Sequence, residues 1–393
     1  MKLLSALLIT LLCLGKAYAQ NYAESNVPAY VLPEVLKTAG GKMIRKKTSW
    51  EKIRRPEVLR LFEDNVYGQM PNDFESIKFK LTNDDVMVMN GKAHLKEVTI
   101  TVKRIGKALA IHLTLFVPNS RKGPSPAFLL INNRPPGNTQ ASRETKSEFW
   151  PAEMLIDSGY AIAAFHVADA APDKKEEYMN GALQLYPEQR TKDNGMKAVG
   201  AWAWAASRVM DYFKTDKNID FKKVAVVGHS RGGKAALWAG AQDQRFAMVI
   251  SNCSGNTGAA LSRRKFGETV KVINTRFPHW FATSYNQYND NENALPVDQH
   301  MLISLIAPRP VYTTNATKDL WADPKGSYLS LVNAEPVYAL YDKQSALTAE
   351  PPAVNKAIIN SAIGYHNREG IHDMTTFDWA NFIRFAHFHY RHN

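Results

Sequence analysis

The sequence has little cysteine, no long apolar run after its first residues and no surplus of acidic side chains. Only two cysteines occur among 393 residues, which excludes a disulfide framework. After residue 14 no stretch reaches the roughly 18 consecutive apolar residues that a membrane-spanning helix needs, so we expect no membrane anchor. Internal repeats and low-complexity segments are also lacking, and the 45% hydrophobic and 22% charged content is that of a globular protein.

The first 19 residues have the pattern of a secretory signal peptide. Lys2 supplies positive charge, Leu3–Leu14 is a short apolar run, and Ala17-Tyr18-Ala19 is a small-residue cleavage site. We therefore expect a signal peptide over residues 1–19, cleavage before Gln20, and a secreted or periplasmic protein.

The charge balance is basic. Lys and Arg exceed Asp and Glu by 49 − 37 = +12, and loss of residues 1–19 lowers this to 47 − 37 = +10 and leaves Cys253 as the single thiol. A mature chain with one cysteine must be stable through its core alone. An anionic partner suits the charge, but no basic run exceeds three residues and no nucleic-acid motif occurs, so nucleic acid is not the expected partner.

Alternating strand and helix patterns predict an α/β fold. Apolar runs or period-two alternation predict strands at 96–102, 109–117, 127–131, 160–165, 224–227, 246–250 and 310–314. Spacings of three and four predict helices at 56–67, 150–157, 194–213, 234–241 and 377–390. This order predicts a doubly wound, mostly parallel sheet with helices on both faces. We interpret 20–95 as an N-terminal extension packed on a catalytic domain at 96–393.

A candidate nucleophile lies between the strand at 224–227 and the following helix. Gly228-His229-Ser230-Arg231-Gly232 matches G-x-S-x-G, in which small residues allow the sharp turn that exposes the serine. The backbone N–H of Arg231 would then face a developing oxyanion at a helix N-terminus. We predict that Ser230 is the nucleophile of an α/β-hydrolase fold.

Such a serine needs a histidine base and a carboxylate that orients it, in the chain order Ser, acid, His. His372 stands in a loop just before the closing helix, and His366 is the rival base. Asp319 follows the strand at 310–314, with Asp323 and Asp298 as rival acids. The residues alone leave these alternatives open.

Around these positions the chain resembles the bacterial glucuronoyl esterases of carbohydrate esterase family 15. The matching segments are Gly228–Lys234, Ser254-Gly255, Gly258–Arg263, Gly267–Val270, Ala307–Pro310, Asp319–Pro324 and Gly370–Asp373. The resemblance implies an α/β-hydrolase that needs no metal or cofactor. It also implies cleavage of the ester between glucuronic acid side groups of xylan and lignin alcohols, with (4-O-methyl-)glucuronic acid esters or glucuronoxylan fragments as the substrate.

The resemblance also implies roles for individual residues. Ser230 would be the nucleophile, His372 the base, and Arg231 an oxyanion stabiliser through its guanidinium. Lys234 and Glu268 would hydrogen-bond sugar hydroxyls, and the substrate pocket would be completed by Trp321. Many members carry a catalytic glutamate where this chain has Cys253, so the triad acid is expected to be Asp319.

Two other functions fit parts of the pattern. A carbohydrate deacetylase such as an acetylxylan esterase would use the same fold, but an acetyl group gives Arg231 and Lys234 nothing to recognise. A catalytically weak carbohydrate-binding protein would explain the missing glutamate and the eight tryptophans, but not an intact set of Ser230, Asp319 and His372. We expect an active, monomeric carboxylic ester hydrolase.

Overall fold

Strands β4 (Ser125–Asn132) and β6 (Ile219–His229) lie at the centre of the molecule and are apolar on both faces. In β4, Leu129 and Ile131 point into one hydrophobic core, and Phe128 and Leu130 point into another. Since alternate residues of a strand face opposite sides of a sheet, this pattern requires cover on both faces. The computed structural model, which describes residues 20–343 and 345–391, supplies that cover with helices.

Ten strands form one sheet in the order β1-β2-β3-β5-β4-β6-β7-β8-β10-β9. The other strands are β1 (Ser76–Val88), β2 (Ala93–Arg104), β3 (Lys107–Pro118), β5 (Ala161–His166), β7 (Met248–Asn252), β8 (Val311–Ala316), β9 (Ala357–Ile358) and β10 (Ile363–Arg368). Neighbours from β5 to β10 along this order run parallel, whereas β1, β2, β3 and β5 pair antiparallel, as do β10 and β9. The predicted doubly wound, mostly parallel α/β-hydrolase fold is confirmed.

The α-helices are α1 (Lys47–Ser49), α2 (Arg55–Phe62), α3 (Ala152–Asp157), α4 (Val167–Ala170), α5 (Ala198–Phe213), α6 (Arg231–Gln242), α7 (Val270–Arg276), α8 (Gln299–Ser304), α9 (Pro324–Ala339) and α10 (Thr376–Arg391). Helices α5, α6 and α8 pack into the core that contains Leu129, and α3 and α10 into the core that contains Phe128. Among the described residues, no helix is both long enough and apolar enough to cross a membrane. The predicted signal peptide, 1–19, lies outside the described residues.

The bounds of most predicted elements shift by a few residues, and two differences have a clear physical reason. Helix α5 begins at Ala198 and not near 194, because Lys197 is extended and Asn194 instead donates a side-chain hydrogen bond to Asp64 at 2.8 Å. Strand β1 falls inside the segment predicted as an extension, yet it pairs along β2 in the central sheet. The division of the chain at residue 95 stays a prediction.

Candidate active site

Ser230 lies in the tight turn that joins β6 to α6. Its backbone has φ +55° and ψ −124°, a conformation that a residue with a side chain rarely adopts. A Cβ at Gly228 would come within 2.0 Å of the Gly232 carbonyl oxygen, and a Cβ at Gly232 within 2.9 Å of the Ile131 carbonyl oxygen. The two glycines are therefore required by the close approach of backbone to backbone, as the sequence motif predicts.

His372 and Asp319 form a hydrogen-bonded pair in the same cavity as Ser230. The distance from His372 Nδ1 to Asp319 Oδ2 is 2.6 Å, and Asp319 lies just after β8, with its side chain only 3% exposed. A carboxylate accepts this hydrogen bond from the Nδ1–H, which leaves Nε2 as the basic nitrogen. The His372 side chain is 36% exposed, so its ring is accessible while its carboxylate partner is almost fully buried.

The rival base, His366, is placed elsewhere. It lies on β10, is fully buried, and makes hydrogen bonds through Nε2 to Asp378 and through Nδ1 to the Tyr312 hydroxyl, both at 2.9 Å. Both ring nitrogens are thus occupied inside the protein, away from Ser230. The structure gives His366 a structural role.

The rival acids also have structural roles. Asp323 forms an ion pair with Arg264 at 2.8 Å and accepts a hydrogen bond from the Gly326 N–H at the start of α9. Asp298 forms an ion pair with Arg263 at 3.1 Å and is the N-terminal cap of α8. Of the three carboxylates considered from the sequence, only Asp319 contacts the histidine beside Ser230.

The cavity at the carboxyl end of the sheet has a volume of about 310 Å³. Its lining brings together all seven residues predicted for the site with five others: Ser230, Arg231, Lys234, Cys253, Ser254, Gly255, Glu268, Phe277, Trp280, Asp319, Trp321 and His372. Two larger clefts, of about 700 and 950 Å³, contain none of these residues. The smaller cavity is therefore the candidate active site.

Lys234 and Glu268 form a buried ion pair on one wall of this cavity. Lys234 Nζ donates to Glu268 Oε2 at 2.6 Å, to the Ser254 carbonyl at 2.8 Å and to the Asn256 carbonyl. Because these acceptors occupy its three N–H groups, Lys234 supports Glu268 in this structure. Burial raises the pKa of Glu268, a shift that Lys234 and a hydrogen bond from Trp321 oppose. Direct contact of Lys234 with a sugar hydroxyl stays a prediction.

Cys253 lies against the His372–Asp319 pair. It is 1% exposed, has φ +48°, and its Sγ and one ligand atom of each of the other two residues lie within 4.8 Å of one another. Burial and the nearby Asp319 carboxylate raise the pKa of the thiol well above its usual value. The thiol is therefore neutral, and Asp319 supplies the negative charge for His372. The three side chains are also the donor set that a zinc ion would accept, although His372 Nδ1 is already bound to Asp319.

A second histidine packs against the catalytic candidate. His229 is fully buried, and its ring centroid lies 4.5 Å from that of His372. Its Nδ1 lies 2.5 Å from Asn252 Oδ1, and Arg134 Nη2 donates to its Nε2 at 3.3 Å. Burial, followed by the charge of His372, lowers the pKa of His229 well below its usual value. His229 is therefore a neutral support for the His372 ring.

Comparison with known proteins shows which family has this arrangement. The family model described as "Glucuronyl esterase, fungi" matches residues 100–341. A carbohydrate esterase from an unknown prokaryotic organism is 40% identical over 95% of this chain and 93% of its own length. The chain belongs to the glucuronoyl esterase family.

Solved structures of the glucuronoyl esterase family agree with the fold. A promiscuous family 15 esterase from a marine bacterial metagenome has a TM-score of 0.87 at 40% identity, covering 94% of this chain and all of its own. The glucuronoyl esterase from Solibacter usitatus has a TM-score of 0.86 at 37% identity, covering 92% of this chain and 98% of its own. A 4-O-methyl-glucuronoyl methylesterase from Schizophyllum commune is 27% identical over 86% of this chain and 81% of its own length.

The sequence alone did not assign a role to several residues of this active site. Asp173 forms an ion pair with Arg231, whose guanidinium lies over the ring of Trp280 at 5.0 Å. His229 was part of the G-x-S-x-G motif without a role of its own. The available signal for Asp173 was its position a few residues after a buried strand, where parallel sheets place functional side chains.

Proposed function

We propose that this chain is a serine esterase that hydrolyses esters of glucuronic acid and 4-O-methyl-glucuronic acid through an acyl-enzyme on Ser230. Family membership supports a carboxylic ester hydrolase, and relatives named glucuronoyl esterase or 4-O-methyl-glucuronoyl methylesterase support the substrate class.

One observation carries the proposal. A single cavity of about 310 Å³ contains the nucleophile Ser230, the His372–Asp319 pair and the buried Lys234–Glu268 pair. A simple esterase needs only the first two of these elements. Glu268, held in place by Lys234, lines the cavity with carboxylate lone pairs that can accept from the hydroxyl groups of an acyl group such as a uronic acid.

In the first step, Ser230 Oγ attacks the ester carbonyl carbon while His372 Nε2 accepts the hydroxyl proton. Asp319, bound to Nδ1, stabilises the imidazolium that forms. The tetrahedral intermediate then expels the alcohol, which takes its proton from His372 and leaves the uronoyl group on Ser230. Water enters with His372 again as the base, and uronic acid is released as its anion.

The negative charge of each tetrahedral intermediate develops beside Arg231. The guanidinium lines the cavity, and the backbone N–H of Arg231 is among the first of α6, which have no partner within the helix. The loop after β4 offers few further donors, because Pro135 and Pro136 lack an N–H and the Arg134 N–H donates to Asn132 Oδ1 at 3.0 Å. The Arg231 side chain is therefore the principal oxyanion donor in this proposal.

The location and the natural substrate are also proposals. Export through a signal peptide at 1–19 and cleavage after Ala19 would place the enzyme in the periplasm or outside the cell, where glucuronoxylan fragments are available as substrates. The net charge of +10 on the mature chain suits an anionic polysaccharide. N-terminal sequencing of the exported protein tests this: an intact Met1 would contradict it.

The decisive experiment compares benzyl glucuronate and methyl glucuronate with acetylated xylan. We expect release of glucuronate from both esters, loss of that release in Ser230→Ala, and full activity in Ser142→Ala, a change of an exposed serine outside the cavity. Release of acetate without release of glucuronate would overturn the substrate assignment. Full activity of Ser230→Ala would overturn the mechanism.

A further inference from the structure

The Arg231 guanidinium is held by a group of side chains that the proposed chemistry does not itself require. Asp173 accepts a hydrogen bond from Arg231 Nη1 through Oδ2, and through Oδ1 it accepts from His279 Nε2 at 2.9 Å and from Trp280 Nε1 at 2.7 Å. One carboxylate therefore fixes both the cation and the indole over which the cation lies. Burial of Asp173 raises its pKa, but the three donors and the Arg231 charge outweigh it and lower the pKa to about 2.

The aromatic side of this arrangement is equally fixed. The Trp280 and Phe277 rings stack with centroids 3.8 Å apart and an angle of 3° between them, and the guanidinium lies 5.0 Å from the first ring and 5.8 Å from the second. A guanidinium is attracted to such ring faces. Arg231 is thus held by charge on one side and by a π face on the other.

The backbone that bears these side chains is anchored to the fold. The carbonyl oxygens of His279 and Trp280 accept the N–H groups of Ala198 and Val199, the first residues of α5, at 3.0 and 3.2 Å. These N–H groups would otherwise lack partners at the helix N-terminus. The position of Asp173 is in turn set by His279 and Trp280, so α5 indirectly determines where the guanidinium lies.

The Arg231 guanidinium has more N–H donors than Asp173 uses. A guanidinium carries five N–H groups, and Asp173 accepts a hydrogen bond from Nη1. The side chain is 33% exposed and lines the cavity with Ser230. An acyl oxygen that becomes anionic beside Ser230 can accept from the remaining N–H groups.

We propose that Asp173 is a positioning residue that, together with Trp280, preorganises the Arg231 guanidinium as an oxyanion donor. This rests on the proposed function, in which Arg231 stabilises the tetrahedral intermediate. An arginine side chain has many rotamers, and electrostatic stabilisation is effective only where the donor is already in place before charge develops. Asp173 removes that freedom at the cost of part of the positive charge.

The first test is a double-mutant cycle on benzyl glucuronate. We expect Arg231→Ala to lower kcat by about 10²- to 10³-fold, the range for loss of one oxyanion donor. We expect Asp173→Asn to lower kcat by about 10- to 100-fold with KM within about threefold, since an amide N–H would face the guanidinium. The double variant should be no more than about threefold below Arg231→Ala, because both changes remove the same interaction.

The controls separate positioning from a general structural role. Asp169→Asn, a nearby acid that binds the His112 N–H, should retain full activity. Loss in the double variant equal to the product of the two single losses would overturn the proposal, as would Asp173→Asn within twofold of the wild type. If Asp173→Asn does not fold, Asp173→Glu gives the same test, because it keeps the charge but displaces the carboxylate.

Chemical rescue gives an independent measurement. In Arg231→Ala the Asp173 carboxylate and the Trp280 face remain. Added guanidinium ion should therefore raise the kcat of this variant at least tenfold, and urea, which is planar but neutral, should not. Equal effects of the two additives would contradict the proposal. If Ser230→Ala is inactive but Arg231→Ala keeps full activity, Arg231 is not an oxyanion donor and the proposed function itself is wrong at that residue. Additive losses of Arg231→Ala and Asp173→Asn would contradict only the role of Asp173.

Discussion

At the scale of single residues, the carboxylate beside His372 is that of Asp319, and Cys253 lies next to the pair. The Cys253 thiol is neutral and lies against His372, and Asp319 makes the 2.6 Å hydrogen bond that orients the imidazole. A short hydrogen bond donated by the imidazole to a buried carboxylate fixes both the tautomer and the angle of the ring. In the proposed mechanism the negative charge that His372 needs is therefore supplied by Asp319, which follows β8.

Removal of this carboxylate should nearly abolish turnover. We expect Asp319→Asn to lower kcat on benzyl glucuronate by about 10³- to 10⁴-fold, because an amide favours the wrong tautomer of His372 and does not stabilise its cation. Steady-state kinetics measure the loss, with Asp342→Asn, an exposed aspartate outside the cavity, as the matched control. A loss of less than tenfold would mean that the acid is another residue.

The position of Cys253 allows a complementary test. Its Sγ lies within 4.8 Å of a ring nitrogen of His372, so a carboxylate on this residue is close enough to take over the pairing. We expect Cys253→Glu, added to Asp319→Asn, to raise kcat at least tenfold above that of Asp319→Asn alone. Cys253→Gln in the same background adds a side chain of similar size without charge, and equal recovery by both would argue against a carboxylate effect.

At the scale of elements, the turn between β6 and α6 holds Ser230 in a strained backbone conformation. Ser230 has φ +55°, and Ser230→Gly and Ser230→Ala both remove the hydroxyl and differ only in the Cβ. We expect the glycine variant to have a free energy of unfolding about 1 kcal/mol above that of the alanine variant, since glycine adopts this conformation without penalty. Urea unfolding measures the difference, and equal stability would show that the turn is unstrained.

Helix α10 gives the stability a specific dependence on pH. His389 donates through Nε2 to the Ser361 carbonyl at 3.0 Å, and burial lowers its pKa from 6.5 to about 4. A histidine that is neutral in the folded state binds its proton more readily when unfolded, so stability is lost as the pH falls from about 6.5 to about 4.

Replacement of this histidine should remove that part of the pH dependence. Between pH 7 and pH 4 the free energy of unfolding of the wild type should fall by about 3 kcal/mol more than that of His389→Gln, because the pKa of His389 is lowered from 6.5 to about 4 in the folded protein. Urea unfolding at pH 7 and pH 4 tests this. Parallel curves for the two proteins would contradict the assignment.

At the scale of the whole molecule, residues before the sheet contribute to its integrity. Buried Arg55 donates to the Ala241 carbonyl at 2.6 Å and the Leu305 carbonyl at 3.2 Å, which lie at the C-terminal ends of α6 and α8. These carbonyls have no partner within their helices and carry partial negative charge. The segment 20–95 is thus joined to α6, the helix that follows Ser230.

Loss of Arg55 should destabilise the whole molecule. We expect Arg55→Ala to lower the free energy of unfolding by about 3 kcal/mol, because two buried acceptors lose a charged donor and a cavity forms. Calorimetry tests this against Arg60→Ala, an exposed arginine on the same helix, which should change stability by less than about 0.5 kcal/mol. Similar values for both variants would show that the segment is only loosely attached.

Much of the fold and site was predictable because local signals agreed with the tertiary structure. The apolar run at 127–131 predicts β4, and the glycines of the G-x-S-x-G motif predict the β6–α6 turn. Full burial and close backbone approach each restrict residue type. Strand β1 was missed because its side chains are largely exposed, and α9 because it has Pro336 and no regular apolar stripe. Where packing does not constrain residue type, sequence patterns carry little information.

The sequence by itself determined the fold class, the candidate nucleophile Ser230 and the family. These follow from residue types that the backbone or the core accepts at given positions. Only the tertiary structure shows that His372, and not His366, lies in the cavity with Ser230 and that Asp319 is its hydrogen-bond partner, because these distances are set by separate loops. The same reason applies to Asp173, which lies 58 residues before Arg231 in the chain and meets it only in the folded protein.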